Sequence, residues 1–441
     1  MIYRILKIIL LPLHRLYYKN IVVEGKENIP EGGVIFTSNH QNAMMDAMAI
    51  ISSSGRNPYF MARADIFESS FFSFFLKALR IIPIYRRQDG KDSMKKNDDV
   101  FDGAAQMLAK GKPLAMFPEA GHADHRRLQA LRKGFVRIGF KAMEKTEFKQ
   151  PVSIVPVGIY YSDYSKFRNS LHVRFGKPVA LESFKELYES NPQKAFNVVK
   201  SKVAKQIIPM MINIKNYEYY HTFERLLSFY SHHLLPDLGF DYGREKNMFL
   251  AKQKVIYLMN HVLERKPDEF HQLRLELDEY FNELQRLGFT NEEVEHFCAK
   301  KVTKVGRLLS LVLSSPLALA GYLTHIIPYR VTKKSVAMAN DKHFNSTYKF
   351  GVGVISIGLF YVLLLLAGGL AGLCSLTLLI AGISLPLTGF FVYKWTHWWR
   401  EWRVMLKLLR AEKKKEGDVY RMLKMRNDLL ERIKTIVSPY F

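Results

Sequence analysis

Val34-Ile35-Phe36-Thr37-Ser38-Asn39-His40-Gln41-Asn42-Ala43-Met44-Met45-Asp46 opens as an apolar strand and passes through a polar turn into a helix. His40 and Asp46 are six positions apart, about 240° on an ideal helix at about 100° per residue, so they cannot pair on one helix. They meet only if His40 lies at the strand end or in the turn and the helix begins near Asn42, whose side chain is a suitable N-cap. Asp46 then faces back toward the imidazole from the first helical turn, where it can fix the ring's tautomer and favour its charged form.

The alternation of strand and helix continues outward. Apolar runs at Val34 to Ser38, Tyr59 to Ala62, Ile81 to Tyr85, Pro113 to Phe117, Ser153 to Tyr160 and Leu171 to Phe175 predict strands. Asp92 to Gly111 reads as a helix closed by a glycine, with Phe101, Ala104, Ala105 and Leu108 on one face. The pattern predicts an α/β domain over residues 21–180, a mixed, mostly parallel sheet flanked by helices. Residues 1–20 read as an interfacial amphipathic helix: Arg4 and Lys7 interrupt its apolar residues, Tyr17 and Tyr18 follow, and no small-residue cleavage site marks a secretory signal. An ordinary docked helix is the other reading.

Strand signals fade over residues 181–300, a helical region in which Thr290 to Glu293 offers a T-x-x-E capping box. Residues 301–441 read as a membrane region ending in a basic terminal helix. From Gly351 to Tyr393 no residue is charged, enough for two crossings at about 20 residues each, and Gly368, Gly369 and Gly372 offer the turn. A C-terminal transmembrane hairpin over about 351–393 is therefore expected. Trp395, Trp398, Trp399 and Trp402 follow it among Lys394, Arg400 and Arg403, as in an aromatic and basic interfacial belt. A second apolar stretch, Leu308 to Ile327, is interrupted by Pro316 and flanked by basic residues on both sides, which favours a partial, re-entrant or interfacial segment. The charged run Glu412 to Glu416 is expected to open a solvated terminal helix.

The excess of 65 Lys+Arg over 41 Asp+Glu, a formal +24, calls for an anionic partner. No recognised nucleic-acid motif accompanies it, and the basic residues sit beside long apolar stretches, so membrane lipid is expected and nucleic acid is not. The two cysteines, Cys298 and Cys374, imply neither a disulfide framework nor a metal cluster.

Three further places carry chemistry. Phe117-Pro118-Glu119-Ala120-Gly121 follows a strand, so Glu119 belongs at the carboxyl end of the sheet, where ligands gather in open α/β folds. There it can accept hydrogen bonds from a polyol or anchor a basic side chain; a solvated turn residue is the alternative. Ile82-Pro83-Ile84-Tyr85-Arg86-Arg87 ends in two arginines whose planar forks suit a phosphate dianion, or it is simply an exposed basic strand end. Arg63, Lys133 and Arg137 are additional candidates for the same anionic pocket.

These blocks resemble, in order and spacing over roughly residues 30–180, the phospholipid and glycerol acyltransferase family that makes lysophosphatidic and phosphatidic acid. Asn39, His40 and Asp46 match its N-H-x4-D block with one extra residue, as in the fungal-type glycerol-3-phosphate and dihydroxyacetone-phosphate acyltransferases. Pro83-Ile84-Tyr85-Arg86 resembles the second block. Phe117-Pro118-Glu119-Ala120 resembles F-P-E-G, with Ala120 in place of glycine and Gly121 following. Ile154-Val155-Pro156-Val157-Gly158 resembles the fourth.

The resemblance implies that His40 and Asp46 are catalytic, that Arg86 with Arg87 holds the acceptor phosphate, and that Glu119, with Gly121, Arg63 and Lys133 nearby, positions the acceptor. It implies an acyl-CoA or acyl-carrier-protein donor, no metal and no tightly bound cofactor, and an integral membrane protein with its catalytic domain on the cytoplasmic face. Lysophosphatidate is the first expected acceptor, with glycerol 3-phosphate or dihydroxyacetone phosphate close behind. A non-catalytic lipid-binding membrane protein is the alternative from another class.

Overall fold

Gly33 to Ser38 form β2, buried along its whole length because neighbouring strands flank it on both sides. Strands so placed in a parallel sheet read as continuous apolar runs. The computed structural model describes residues 2–67, 73, 76–85, 93–119, 125–299, 304–339 and 341–441. It divides into two units, Met1–Asn213 with Met338–Phe350, and Ile214–Ala337 with Gly351–Phe441.

The first unit carries α1 (Ile2–Tyr17), β1 (Asn20–Glu24), β2 (Gly33–Ser38), α2 (Ala43–Ser54), β3 (Tyr59–Arg63), β4 (Ile81–Ile84), α3 (Ser93–Ala109) and β5 (Leu114–Met116). Then come α4 (Gly134–Glu144), β6 (Val152–Tyr161), β7 (Ser170–Phe175), β8 (Val179–Ala180), α5 (Lys185–Ser190) and α6 (Pro192–Ile207). The sheet runs β1-β7-β6-β2-β5-β3-β4, with β8 added to β6. From β6 through β4 every pairing is parallel; β7 and β8 are antiparallel to β6, and β1 is parallel to β7. All six strands expected from the apolar runs are present. β1 and β8 are additions, too short and too close to the edge of the pattern to stand out by periodicity.

Alternation along β2 sends Ile35 and Phe36 to opposite faces. Ile35 joins a core with Leu114, Met116 and Ile154 that is closed by Ala104 and Leu108 of α3, Phe135 and Ile138 of α4 and Val199 and Val203 of α6. Phe36 meets Phe175 edge-on at 5.9 Å on the other side. Gly139 lets α4 approach closely, since a Cβ there would lie 2.4 Å from Leu181 Cδ1. α3 ends as expected, with Gly111 in the left-handed region at φ +73°. Tyr17 and Tyr18, expected at an interface, are instead buried at 5% and 1% exposure in an aromatic cluster with Phe167, Tyr161 and Phe350.

The second unit is helical: α7 (Tyr220–Leu234), α8 (Glu245–Arg265), α9 (Pro267–Leu287), α10 (Asn291–Ala299), α11 (Lys304–Leu313), α12 (Ser315–Ala337), α13 (Asn345–Leu370), α14 (Ser375–Lys414) and α15 (Asp418–Val437). The first turns of α13, to Phe350, belong to the first unit. The capping box forms as written: Thr290 N–H donates to Glu293 Oε2 at 2.8 Å and Glu293 N–H to Thr290 Oγ1 at 3.3 Å.

α13 and α14 are each long and apolar enough to cross a membrane, and Gly372 at φ +82° makes the turn between them. α11 and α12 bend by 55° at their break, the shape of a broken span or a re-entrant loop. Trp395, Trp399 and Trp402 stack in series along α14, with centroids 5.7 and 5.4 Å apart, and Trp395 donates to the Leu311 carbonyl. The terminal helix begins later than expected: Glu412 to Lys414 close α14, and α15 starts at Asp418. Nor is α15 merely solvated. Met422, Leu429, Ile433 and Val437 recur at helical spacing and bury one face.

Candidate functional site

The strand-turn-helix unit places His40 in the turn after β2, and α2 begins at Ala43. His40 Nδ1 lies 2.9 Å from Asp46 Oδ2, with the imidazole side chain 19% exposed and the carboxylate 1%. Asn42 occupies the N-cap position, but its side chain makes no cap hydrogen bond; the Asp46 carboxylate reaches back from the first helical turn to the loop before the helix. Its Oδ2 accepts the backbone N–H groups of Gln41 and Asn42 at 2.9 and 2.8 Å in addition to facing His40. Its Oδ1 accepts the Tyr161 hydroxyl at 2.8 Å. Four donors converge on one buried carboxylate, which is how a buried charge is held without heavy cost. The His40 ring stacks on Phe117 at 4.1 Å and 14°, so its plane is set by β5's exit as well as by Asp46.

Asn39 pins the end of β2 to β6, donating to the Ile159 carbonyl at 2.9 Å and accepting its N–H at 2.8 Å. Gln41 accepts the Tyr164 hydroxyl at 2.6 Å and donates to the His125 carbonyl at 3.1 Å. The turn before α13 and the helix's first residues reach the same loops: His343 Nδ1 is 3.2 Å from the Gln41 carbonyl, Ser346 donates to the Tyr164 carbonyl and Lys349 to the Ser165 carbonyl.

Glu119 leaves β5 and pairs with Leu131 as an isolated antiparallel bridge. It is 9% exposed, and among the described residues neither carboxyl oxygen meets a hydrogen-bonding partner. Burial pushes its carboxyl up to about 8; the nearby backbone N–H groups of Gln129 and His40, short of hydrogen-bond geometry, oppose the rise and the Asp46 charge adds to it. At neutral pH Glu119 is therefore mostly the neutral acid, a donor as well as an acceptor. It is not the solvated turn residue that was the alternative from sequence.

The other candidates are less gathered. Arg63 pairs with Asp65, Lys133 donates to Gln193 at 3.1 Å, and Arg137 lies over the Phe101 ring, 4.0 Å from Asp98. Arg86, Arg87 and Gly121 lie outside the described residues. Among the described residues no group of His, Cys, Asp and Glu side chains has the arrangement of a metal site.

Tyr161 was not anticipated from the sequence. It closes β6 three residues after the apolar V-P-V block, and burial holds its hydroxyl proton on well above the usual tyrosine range. Tyr161→Phe removes one of four donors to Asp46 while preserving the ring. The loss of about 1 kcal/mol should lower kcat about fivefold with KM for the acceptor little changed, read from initial rates on the full-length protein.

The Acyltransferase family model matches residues 20–160, the segment that holds the dyad. Glycerol-3-phosphate O-acyltransferase 2 of Saccharomyces cerevisiae is 23% identical over 125 residues, 28% of this chain and 16% of that protein. The chloroplastic 1-acyl-sn-glycerol-3-phosphate acyltransferase LPAT1 of Arabidopsis thaliana is 27% identical over 143 residues, 32% of this chain and 36% of that one. The matches thus span well under half of either relative. The crystal structure of the LPA acyltransferase PlsC from Thermotoga maritima aligns with 45% of this chain and 80% of its own, at 19% identity and a TM-score of 0.32. The ordered motifs and the match over residues 20–160 support the phospholipid/glycerol acyltransferase family for that segment.

Proposed function

We propose that this protein transfers a fatty acyl group from an acyl thioester to the free hydroxyl of 1-acyl-sn-glycerol 3-phosphate, giving phosphatidate. The observation that carries this reading is the His40–Asp46 pair, set at the carboxyl end of the sheet beside a buried, uncharged Glu119. With Nδ1 engaged by Asp46, His40 acts through Nε2, taking the proton as the acceptor oxygen attacks the thioester carbonyl. The tetrahedral intermediate collapses with cleavage of the C–S bond, and the imidazolium returns the proton to the departing thiolate. Asp46 orients the ring and stabilises the imidazolium. No covalent acyl-enzyme is formed, and the thioester brings its own activation. Glu119 meets the glycerol portion, and Arg86 with Arg87 holds the phosphate, a role supported by the place of Arg86 at the end of the second motif and of Arg87 next to it.

The two long apolar helices and their basic flanks support an integral membrane protein whose first unit works on the cytoplasmic side, where a lipid acceptor is presented. The H-x5-D spacing and the similarity to the yeast protein favour glycerol 3-phosphate as the second reading.

Purified full-length protein in detergent, given labelled acyl-CoA or acyl-carrier protein with either acceptor, separates these. Phosphatidate formed from lysophosphatidate is the expected product. Product from glycerol 3-phosphate alone would establish the second reading, and none from either acceptor with either donor would move the weight to another lyso-lipid acceptor or to a non-catalytic lipid-binding protein.

A further inference from the structure

α1 turns Ile2, Ile5, Ile8, Ile9 and Leu16 outward while His14 and Tyr17 are buried against the first unit. The helix is about 24 Å long at about 1.5 Å per residue. Its carboxyl end, at Tyr17, lies in the aromatic cluster behind Asp46; its amino end lies at the opposite rim of the sheet, where Tyr3 and Lys7 both donate to the Asn57 side chain.

A cavity of about 340 Å³ opens at that rim, before the first residues of β3 and β5, and so away from His40. Arg56, Arg80 and Lys112 line it, and among the described residues no Asp or Glu does. Arg56 is fixed by the carbonyls of Pro30, Gly32 and Gly111. The Arg80 guanidinium lies between the rings of Tyr3 and Tyr59, at 4.3 and 5.1 Å from their centroids, and gives one N–H to the Asn57 carbonyl at 3.0 Å. Its backbone is held at φ +63°, where glycine is the ordinary occupant, so an arginine there is tolerated against a local conformational preference. Lys112 is exposed at the mouth, its ammonium 6.0 Å from the Tyr59 ring.

Three cations around one opening, with no carboxylate among them, repel one another until an anion enters. Guanidinium forks select phosphate oxygens, and the adjacent apolar stripe on α1 faces outward at the same edge. We propose that Arg56, Arg80 and Lys112 form a binding site for the phosphate of an anionic phospholipid headgroup, occupied when the outer face of α1 lies in the bilayer interface. The site anchors the rim of the sheet remote from His40, and the inference does not depend on which acceptor is acylated.

The test is amide hydrogen exchange of the full-length protein in neutral detergent, titrated with dioctanoyl phosphatidylglycerol, dioctanoyl phosphatidylcholine or inorganic phosphate. Phosphatidylglycerol at about ten times its Kd should slow exchange about tenfold around residues 56–60 and 112–115. Phosphatidylcholine should not, and Arg80→Gln/Lys112→Gln should abolish the protection. Lys112→Gln alone, at an exposed position, should weaken binding about fivefold and serves if the double variant does not fold. Equal protection by phosphatidylcholine would reduce the site to an apolar contact, equal protection by inorganic phosphate would remove the lipid assignment, and no protection would remove the site.

Discussion

Asp46→Asn should reduce kcat by two to four orders of magnitude, roughly the range for losing a positioned general base, while leaving the protein folded. Geometry explains why the two effects separate. An asparagine oxygen in the place of Oδ2 still accepts from the Gln41 and Asn42 N–H groups and from His40 Nδ1, and its amide NH2 can donate to the Tyr161 hydroxyl, which then turns to accept. The hydrogen bonds survive and the negative charge beside His40 does not, so the imidazolium that forms as the hydroxyl is deprotonated loses its stabilisation. Asp46→Ala should differ: it leaves two buried N–H groups unpaired, at about 1–3 kcal/mol each, and should lower Tm as well as activity. His40→Ala, at a partly exposed ring, should match the loss in turnover with little change in Tm. Initial rates and thermal unfolding of the three variants decide the matter. Retention of kcat within tenfold in His40→Ala would remove the imidazole from the mechanism.

Glu119→Gln should make the protein more resistant to heat at pH 8.5 and leave it nearly unchanged at pH 5. The folded-state carboxyl, raised by burial to about 8, sits above its ordinary value of 4.5. A raised carboxyl binds its proton more tightly folded than unfolded, so stability falls as pH rises from about 4.5 and the loss is complete above about 8. The interval corresponds to about 5 kcal/mol as an upper figure, at about 1.4 kcal/mol per pH unit. Glutamine keeps the shape, has no charge to bury, and removes that slope. Thermal unfolding of full-length wild type and variant between pH 5 and 8.5 measures it; parallel Tm curves would mean that Glu119 ionises in the folded state without penalty. An acid kept neutral by burial can donate to an acceptor oxygen as well as receive a hydroxyl proton; glutamine keeps a donor and an acceptor there, so KM for the acceptor should change little in Glu119→Gln, whereas Glu119→Leu, which removes both, should raise it.

Local pattern made much of this legible in the chain. Six strands announced themselves as apolar runs, the Thr290–Glu293 box marked its helix, and the uncharged stretch 351–393 marked the two long apolar helices. Even the meeting of His40 with Asp46 followed from residue spacing, because a turn and one helical turn are short-range structures. The details of that meeting were less accessible: Asn42 holds the N-cap position but its side chain makes no cap hydrogen bond, and the Asp46 carboxylate reaches back to the N–H groups of Gln41 and Asn42 and to the imidazole at once.

By itself the sequence determined the order of strand and helix, the position of the histidine-aspartate turn and the apolar length of the C-terminal helices, since each depends on side chains a few residues apart. Only the tertiary structure decided what surrounds the carboxylates and cations. Tyr161 reaches Asp46 across 115 positions because β6 lies parallel to β2, pairing Val157 with Ser38 and carrying its last residues past the end of β2. Glu119 is neutral because chain segments from either side of it close over its side chain, and Arg80 meets Tyr3 because α1 folds back along the sheet. Burial, charge state and hydrogen-bond partnership are properties of neighbours brought together by strand register and helix packing, which no window of adjacent residues contains.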